Sequence, residues 1–288
     1  MKILVTGGAG FVGTNLIKKL VTNGHEVVSL DDYSIGTKEN HINGCHYVEG
    51  TVAHIQHYLE IDYDFDVVYH LAGLSRIQPS FENPQETFDA NTIGTQRVLE
   101  WARKKDLKVI YAGSSSKHHD PYQSPYAACK YLGEELCKLY KKTYNMDIEI
   151  CRFYNVYGPH EVVEGDWAAV IGLWRRQVED GEPITIVGDG EQKRDFTHVH
   201  DIVDALLELQ NIKTGRFLFN EWELGTGMNY SINEIADMFV KYGGATKTYI
   251  PDQHGNYRET IRESDKSIEF LNWEPKDRLE DYIKSLYK

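Results

Sequence analysis

The stretch Met1-Lys2-Ile3-Leu4-Val5-Thr6-Gly7-Gly8-Ala9-Gly10-Phe11-Val12-Gly13-Thr14 decides the fold. Lys2–Thr6 reads as a short apolar strand, and residues 11–23 carry the period of an amphipathic helix. Between them stand Gly7, Gly10 and Gly13. Gly7 permits a tight turn, Gly10 lets backbone approach a pyrophosphate, and Gly13 lets the helix pack closely on the strand. Phe11 and Val12 then open the helix, whose N-terminus offers unpaired N–H groups and a positive dipole end. Alone, such a loop is also an ordinary tight turn. Its place between the first strand and the first helix makes it a dinucleotide-binding loop. Asp31 strengthens that reading. It ends the strand-like run Glu26–Asp31, about 20 residues further on, where a carboxylate can hold the adenosine ribose hydroxyls. The same charge would repel a 2′-phosphate, so the cofactor expected is NAD and not NADP.

Working outward, strand-like runs recur at residues 46–49, 67–71, 108–113 and 147–152, with helical patterns at 85–105 and 126–144 between them. Continuous apolar strands alternating with amphipathic helices predict a parallel sheet covered on both faces. The expected class is α/β, a Rossmann-type doubly wound sheet with a smaller mixed α/β substrate lobe. After Gly158-Pro159 the regularity breaks. A polar loop at 161–166, a helix at 167–180, the strand Ile184–Val187 with its Gly188-Asp189-Gly190 turn, and helical patterns at 232–242 and 279–286 make up the lobe. The expected division is 1–157 for the NAD-binding domain, with a return segment near 196–224, and 158–195 with 225–288 for the lobe.

Composition narrows the function classes. The chain has 288 residues, 41% hydrophobic and 26% charged, enough for a sizeable core. With 31 Lys plus Arg against 44 Asp plus Glu, the net charge is −13, so no nucleic-acid partner is expected. No apolar run approaches about 18 residues and no leader pattern opens the chain, so a soluble cytoplasmic protein without membrane contact is expected. Cys45, Cys129, Cys137 and Cys151 form no C-x-x-C pair and read as buried thiols rather than disulfides or zinc ligands. His118-His119-Asp120 reads as a solvated loop, with no metal site, because no matching ligand cluster stands nearby. His198 and His200 read as alternating along a strand in a structural role.

The chemistry is carried by Tyr126-Ala127-Ala128-Cys129-Lys130. The phenol and the ammonium stand at i and i+4 on one helix face, with Pro125 suited to the first turn. A free tyrosine titrates near about 10, too high for a base at neutral pH. A nearby ammonium and a positive nicotinamide ring would favour the phenolate, giving a base that takes a hydroxyl proton while hydride leaves the same carbon. Y-x-x-x-K also occurs on solvated helix faces. Here it follows a dinucleotide loop and the strand end Tyr111-Ala112-Gly113-Ser114-Ser115-Ser116, whose hydroxyls would point into the ligand crevice.

Together these residues resemble the extended short-chain dehydrogenase/reductases, and among them the nucleotide-sugar epimerase/dehydratase family. The resemblance covers nearly the whole chain. It takes in the glycine loop, Asp31, His70-Leu71-Ala72-Gly73, Asn91 with Gly94-Thr95, the serine triplet and Tyr126/Lys130. It continues through Arg152-Phe153-Tyr154-Asn155-Val156-Tyr157-Gly158-Pro159 and Gly188-Asp189-Gly190 with Gln192, Arg194, Asp195 and Phe196. It implies that Ser114 holds the reacting hydroxyl, Tyr126 is the base, and Lys130 orients the ribose and tunes Tyr126. It implies a cofactor set that adds Asp32, Tyr33, Ser34, Thr51, Val52, Leu71, Ala72, Gly73 and Asn91, with Phe153 against the nicotinamide. For the substrate it implies Ser75, Ser115, Ser116, Asn155 at the sugar diphosphate, Ala169 and Val170 beside the nucleotide, and Arg194 at its phosphate or ribose end. An ion pair with Asp195 is the plainer reading of Arg194. The family's dimer helices correspond to 85–105 and 126–144, which implies a homodimer. Three places depart from the pattern. Lys117-His118-His119 replaces Val-Tyr-Gly, Thr51 replaces an acidic residue, and Gln253 replaces an arginine, leaving Arg258 as the remaining phosphate ligand.

Within the resemblance, 4,6-dehydratases carry an Asp-Glu pair after the catalytic hydroxyl residue, and decarboxylases keep a Glu in the second place. Ser115 and Ser116 stand there, and neither hydroxyl is a competent acid or base at neutral pH. Returning the hydride after the 4-keto sugar has turned would give the C4 epimer, so a UDP-hexose 4-epimerase is expected. Thr260 stands where epimerases of larger substrates carry a small residue, which favours UDP-N-acetylglucosamine or UDP-glucuronate. A dehydratase, dehydrogenase or reductase of the same family, and an NAD-binding regulatory protein without turnover, remain the alternatives.

Overall fold

The structure is a computed structural model that describes residues 1–59, 64–212 and 221–288. Its strands are β1 Lys2–Thr6, β2 Glu26–Asp31, β3 Cys45–Glu49, β4 Val67–His70, β5 Lys108–Ser114, β6 Ile148–Phe153, β7 Val156–Tyr157, β8 Ile184–Val187, β9 Lys193–Asp195, β10 Thr197–His198, β11 Glu221–Leu224, β12 Asn229–Ser231, β13 Lys247–Ile250 and β14 Glu259–Thr260. The helices are α1 Phe11–Thr22, α2 Ile55–Tyr58, α3 Ile77–Glu82, α4 Pro84–Phe88, α5 Gly94–Lys104, α6 Pro125–Tyr144, α7 Val170–Glu179, α8 Val199–Asn211, α9 Ile232–Gly243, α10 Lys266–Phe270 and α11 Leu279–Ser285.

One seven-stranded sheet runs β11-β6-β5-β4-β1-β2-β3, parallel throughout. Its strands are buried on both faces, as continuous apolar runs require. Leu4, Val28, Val68, Val109 and Ile148 face one core, which α5 and α6 complete through Val98, Leu99, Cys137 and Tyr140. Ile3, Val5, Val27, Tyr69 and Ile110 face the other, which α1 and α8 complete through Leu16, Leu20, Ile202 and Leu206. The order reverses between β1 and β4, so a crevice opens at the C-terminal ends of those strands. A third core around Tyr157, Trp174, Ile186, Phe239 and Ile283 belongs to the later part of the chain.

Several helix boundaries follow from caps. Ser124 accepts from Ala127 N at 3.1 Å and Pro125 fills the first turn, so α6 begins with Tyr126 in its first turn. A Ser231/Glu234 capping box opens α9 and the left-handed Gly244 closes it.

The structure corrects three sequence expectations. Residues 85–105 are not one helix: a π turn, Asp89–Ile93, separates α4 from α5. Asn91 causes it. Its side chain bonds both Leu74 N and Leu74 O, at 2.7 and 2.8 Å, and this tertiary demand overrides the α period. His198 and His200 do not alternate along a strand. β10 ends at His198, whose Nδ1 accepts from His200 N and caps α8. His118 and His119 are not a solvated loop either. His118 bridges Glu223 at 2.7 Å and Glu263 at 3.0 Å, and His119 stacks on Tyr257 with centroids 3.8 Å apart. Part of the return segment near 196–224, residues 213–220, lies outside the described residues. On either side of it, α8 covers the sheet and β11 pairs with β6. Cys129, Cys137 and Cys151 are buried free thiols and Cys45 is half-buried. Among the described residues no helix is long and apolar enough to cross a membrane, and no cluster of His, Cys, Asp or Glu is arranged for a metal.

Candidate active site

The C-terminal ends of β1, β2, β4, β5 and β6 border one cleft of about 910 Å³, closed on the other side by residues 161–174 and 250–260. The glycine loop forms its floor at the sheet's switch point. Gly7 has φ +73°, and a Cβ there would lie 2.7 Å from Ala72 N. At Gly13 a Cβ would overlap the Gly7 carbonyl oxygen. At Gly10 a Cβ would meet only Gly7 O, at 3.3 Å, and otherwise project into the cleft. Gly10 also caps α1 without a side chain, so the first-turn amides stay available to a ligand.

Asp31 is buried beside this loop. Its carboxylate accepts from Ala9 N at 2.8 Å and Tyr33 N at 2.9 Å. Burial pushes its pKa up, against the pull of those two amides. A carboxylate accepts about four hydrogen bonds, so positions remain for ribose hydroxyls. An open glycine cradle at a helix N-terminus and a partly engaged carboxylate at the next strand end together fit a dinucleotide.

At the far end of β5, Ser114 Oγ accepts from the Tyr126 hydroxyl at 3.2 Å and from Ser116 N at 3.2 Å. One turn below Tyr126 on α6, Lys130 Nζ donates to Ala112 O at 2.7 Å, which ties it to the strand that carries Ser114. Burial lowers the Lys130 pKa to about 8. The Tyr126 phenol is raised, chiefly by burial, with the Ser114 hydrogen bond and the Arg76 charge acting downward. In the protein alone Lys130 is desolvated and turned to the Ala112 carbonyl, and burial dominates the phenol. Behind them His70, pushed down to about 3 by burial and then by Lys130, is a neutral link between Thr6 and Thr95.

Of the other residues singled out from sequence, Phe11, Val12, Asp32, Ser34, Thr51, Val52, Leu71, Ala72, Gly73, Ser75, Ser115, Ser116, Phe153, Asn155, Ala169, Val170 and Arg194 all line the cleft. Asn155 adopts φ +25°, and its amide donates to Asp195 O at 2.9 Å and Thr260 Oγ1 at 3.2 Å. Non-glycine residues populate that region sparsely, and here the two hydrogen bonds of the Asn155 amide hold it. Arg194 does not pair with Asp195. It bonds Lys193 O, and burial lowers its pKa to about 10. Asp195 instead gathers Thr226, Gly227 and Arg262 N–H groups.

Three residues fall outside the cleft lining. Tyr33 turns to His41 at 2.9 Å. Asn91 is buried behind the wall, holding Leu74. Arg258 is exposed and pairs with Asp189 at 2.9 and 3.0 Å, so its guanidinium is spent on the surface. Conversely, the cleft contains Arg76, Glu161 and Tyr257, which carry no motif. Glu161 Oε2 and Tyr257 Oη are buried without a hydrogen-bond partner among the described residues. Only their departure from an apolar environment in space marks them, and spacing along the chain could not show it.

The fold and the Ser114–Tyr126–Lys130 arrangement define a Rossmann-type protein of the short-chain dehydrogenase/reductase class. More particularly, the chain belongs to the NAD dependent epimerase/dehydratase family, whose model matches residues 3–217. NAD is the cofactor of that family and of this chain. The chain is 34% identical to a putative UDP-glucose 4-epimerase of Methanocaldococcus jannaschii, over 98% of its own length and 96% of that protein's. It is 29% identical to UDP-glucuronic acid decarboxylase 1 of Xenopus tropicalis, covering 97% of this chain and 70% of that one. Among solved structures, UDP-glucuronic acid 4-epimerase from Bacillus cereus in complex with UDP-glucuronic acid and NAD superposes with TM-score 0.87, at 28% identity, covering 100% and 98% of the two chains.

Proposed function

We propose that the protein epimerises a nucleotide sugar at C4, of the UDP-N-acetylglucosamine or UDP-glucuronate type, through a 4-keto intermediate. The observation that carries this is the content of the β5 end. Ser114 is engaged with the Tyr126 hydroxyl, and the two residues that follow, Ser115 and Ser116, line the cleft and bring no carboxyl group to it, the Ser116 hydroxyl itself being buried. Glu161 also lines the cleft, but Oε1 accepts from Tyr282 and Oε2 is sealed away, so neither oxygen is offered to a substrate as acid or base.

In this reading Gly7, Gly10, Asp31 and Phe153 hold NAD, which, when bound, supplies reversible hydride acceptance. Ser114 Oγ fixes the reacting hydroxyl. Tyr126 takes its proton and later gives it back. Lys130, anchored on Ala112 O in the protein alone, holds the nicotinamide ribose. Asn155, Arg194 and the backbone at Ala169 and Val170 hold the diphosphate while the keto sugar turns. Residues 1–157 with the return segment form the cofactor half, and 158–195 with 225–288 form the substrate lobe. A homodimer through α5 and α6 accords with Leu132 and Leu139, one heptad apart on α6 and 40% and 53% exposed.

Incubation with UDP-N-acetylglucosamine, UDP-glucuronate and UDP-glucose, followed by proton NMR of the anomeric region, tests the reaction. A C4 epimer supports it. A 4-keto-6-deoxy sugar or a pentose as the sole product overturns it, as does stoichiometric growth of 340 nm absorbance.

A further inference from the structure

We propose that Arg76 makes the sugar pocket selective for a nucleotide sugar whose hexose carries a carboxylate. This rests on the nucleotide-sugar reading above and narrows it.

Arg76 follows Ser75 in the loop after β4 and lines the cleft. Its Nε donates to Trp167 O at 3.0 Å, which ties this loop to the segment that closes the opposite wall. That bond fixes the plane of the guanidinium. The two terminal nitrogens make no hydrogen bond and no ion pair with any described residue. The groups that feel its charge are Tyr126 and Glu161. Glu161 is a poor countercharge. Burial raises it to about 7, and Oε1 is taken by Tyr282 at 3.0 Å. The other ionisable groups on the cleft wall do not neutralise Arg76 either. Lys130 and Arg194 are cations, Asp31 and Asp32 sit at the cofactor end, and Glu82 and Asp166 are exposed at the rim.

A half-buried cation without a countercharge is costly, and a ligand anion relieves that cost. A nucleotide sugar offers two kinds of anion, its diphosphate and a carboxylate on the ring. The choice follows from where Arg76 stands. Tyr126 N donates to Ser80 Oγ at 3.1 Å, which holds α3, the helix directly after Arg76, on the first turn of α6, so Arg76 shares the Tyr126 end of the cleft, where the sugar reacts. Arg194, on the lobe wall between Lys193 and Asp195, is the cation that the nucleotide-sugar reading assigns to the diphosphate. The fork of a guanidinium matches a carboxylate with two parallel hydrogen bonds, and a neutral acetamido or hydroxymethyl group cannot use both.

The test is calorimetric binding to the NAD-loaded protein of UDP-glucuronate, UDP-glucose and UDP, for the wild type, Arg76→Ala and Arg76→Lys. Wild type should bind UDP-glucuronate more tightly than UDP-glucose. Arg76→Ala should weaken UDP-glucuronate roughly 10- to 100-fold, the scale of hydrogen bonds to a charged group. It should leave UDP and UDP-glucose within about threefold. Arg76→Lys, which keeps the charge and loses the fork, should fall between and serves if the alanine variant does not fold. An equal loss for all three ligands would show that Arg76 holds the diphosphate and overturns the proposal, as does no loss at all. The two readings fail separately. Epimerisation of neutral sugars without preference for the uronate overturns this inference alone. Arg76-dependent uronate affinity without any epimer upholds it and overturns the reaction.

Discussion

The Tyr126 hydroxyl donates to Ser114 Oγ across 3.2 Å, joining the first turn of α6 to the last residue of β5. A strand end and the helix packed on it thus place a phenol and an alcohol where one substrate hydroxyl can bridge them. Removing the phenolic oxygen leaves the glycine loop and Asp31 untouched. Tyr126→Phe should therefore retain NAD, read by calorimetry, and lose roughly 10²- to 10⁴-fold in kcat, the scale of general acid–base catalysis. Retained turnover would remove Tyr126 as the base.

Gly13 has no room for a side chain, since a Cβ would overlap the Gly7 carbonyl oxygen and touch Gly8 Cα at 2.7 Å. Both neighbours are backbone and cannot swing aside. Gly13→Ala should cost on the order of 1–3 kcal/mol by overpacking and displace the loop from its ligand geometry. A lowered melting temperature together with weakened NAD binding is the expected result. An unchanged melt would show that α1 shifts freely on β1.

Asp31 holds the loop through Ala9 N and the next turn through Tyr33 N. In Asp31→Asn one of these oxygens becomes an N–H₂ that cannot accept. NAD affinity should fall about 10- to 100-fold. The discrimination against NADP should shrink with it, because the charge that repels a 2′-phosphate is gone. Parallel titrations with NAD and NADP read both effects, and unchanged discrimination would place the selectivity elsewhere.

Glu161 is pushed from 4.5 to about 7 by burial, with Tyr282, Arg175 and Arg76 only partly opposing. Its neutral form is the one the fold prefers. Stability from this group is thus fully present below about pH 4.5 and is lost as pH rises through about 7. The loss is on the order of 3 kcal/mol at most. Glu161→Gln keeps the acceptor for Tyr282 and removes the titration. Its denaturant midpoint should change less between pH 5 and 8 than that of the wild type, and stand higher at pH 8. Parallel pH profiles would show that the carboxyl finds water or a charge on ionising.

Much of this was legible in the chain. Lys2–Thr6, Glu26–Asp31 and Ile184–Val187 are strands with the bounds their apolar runs imply. Gly7, Gly10 and Gly13 do what their spacing requires, since backbone clearance is a local property. Ser114, Tyr126 and Lys130 meet because a strand end and a helix start are both written in short motifs. Local signals failed where a distant group won. Asn91 spends its amide on Leu74 and breaks a helix whose period was unbroken. Arg258 is drawn off by Asp189, 69 positions away, and His118 by Glu223, 105 away.

The sequence by itself determined the doubly wound sheet, the dinucleotide loop and the hydroxyl–phenol–ammonium set, because period, turn chemistry and i,i+4 spacing act within a few residues. Only the tertiary structure decided what surrounds the sugar. Arg76, Glu161 and Tyr257 come from separate segments, and none belongs to a motif. Whether each is charged, paired or desolvated depends on which walls enclose it, and enclosure exists only once the chain has folded.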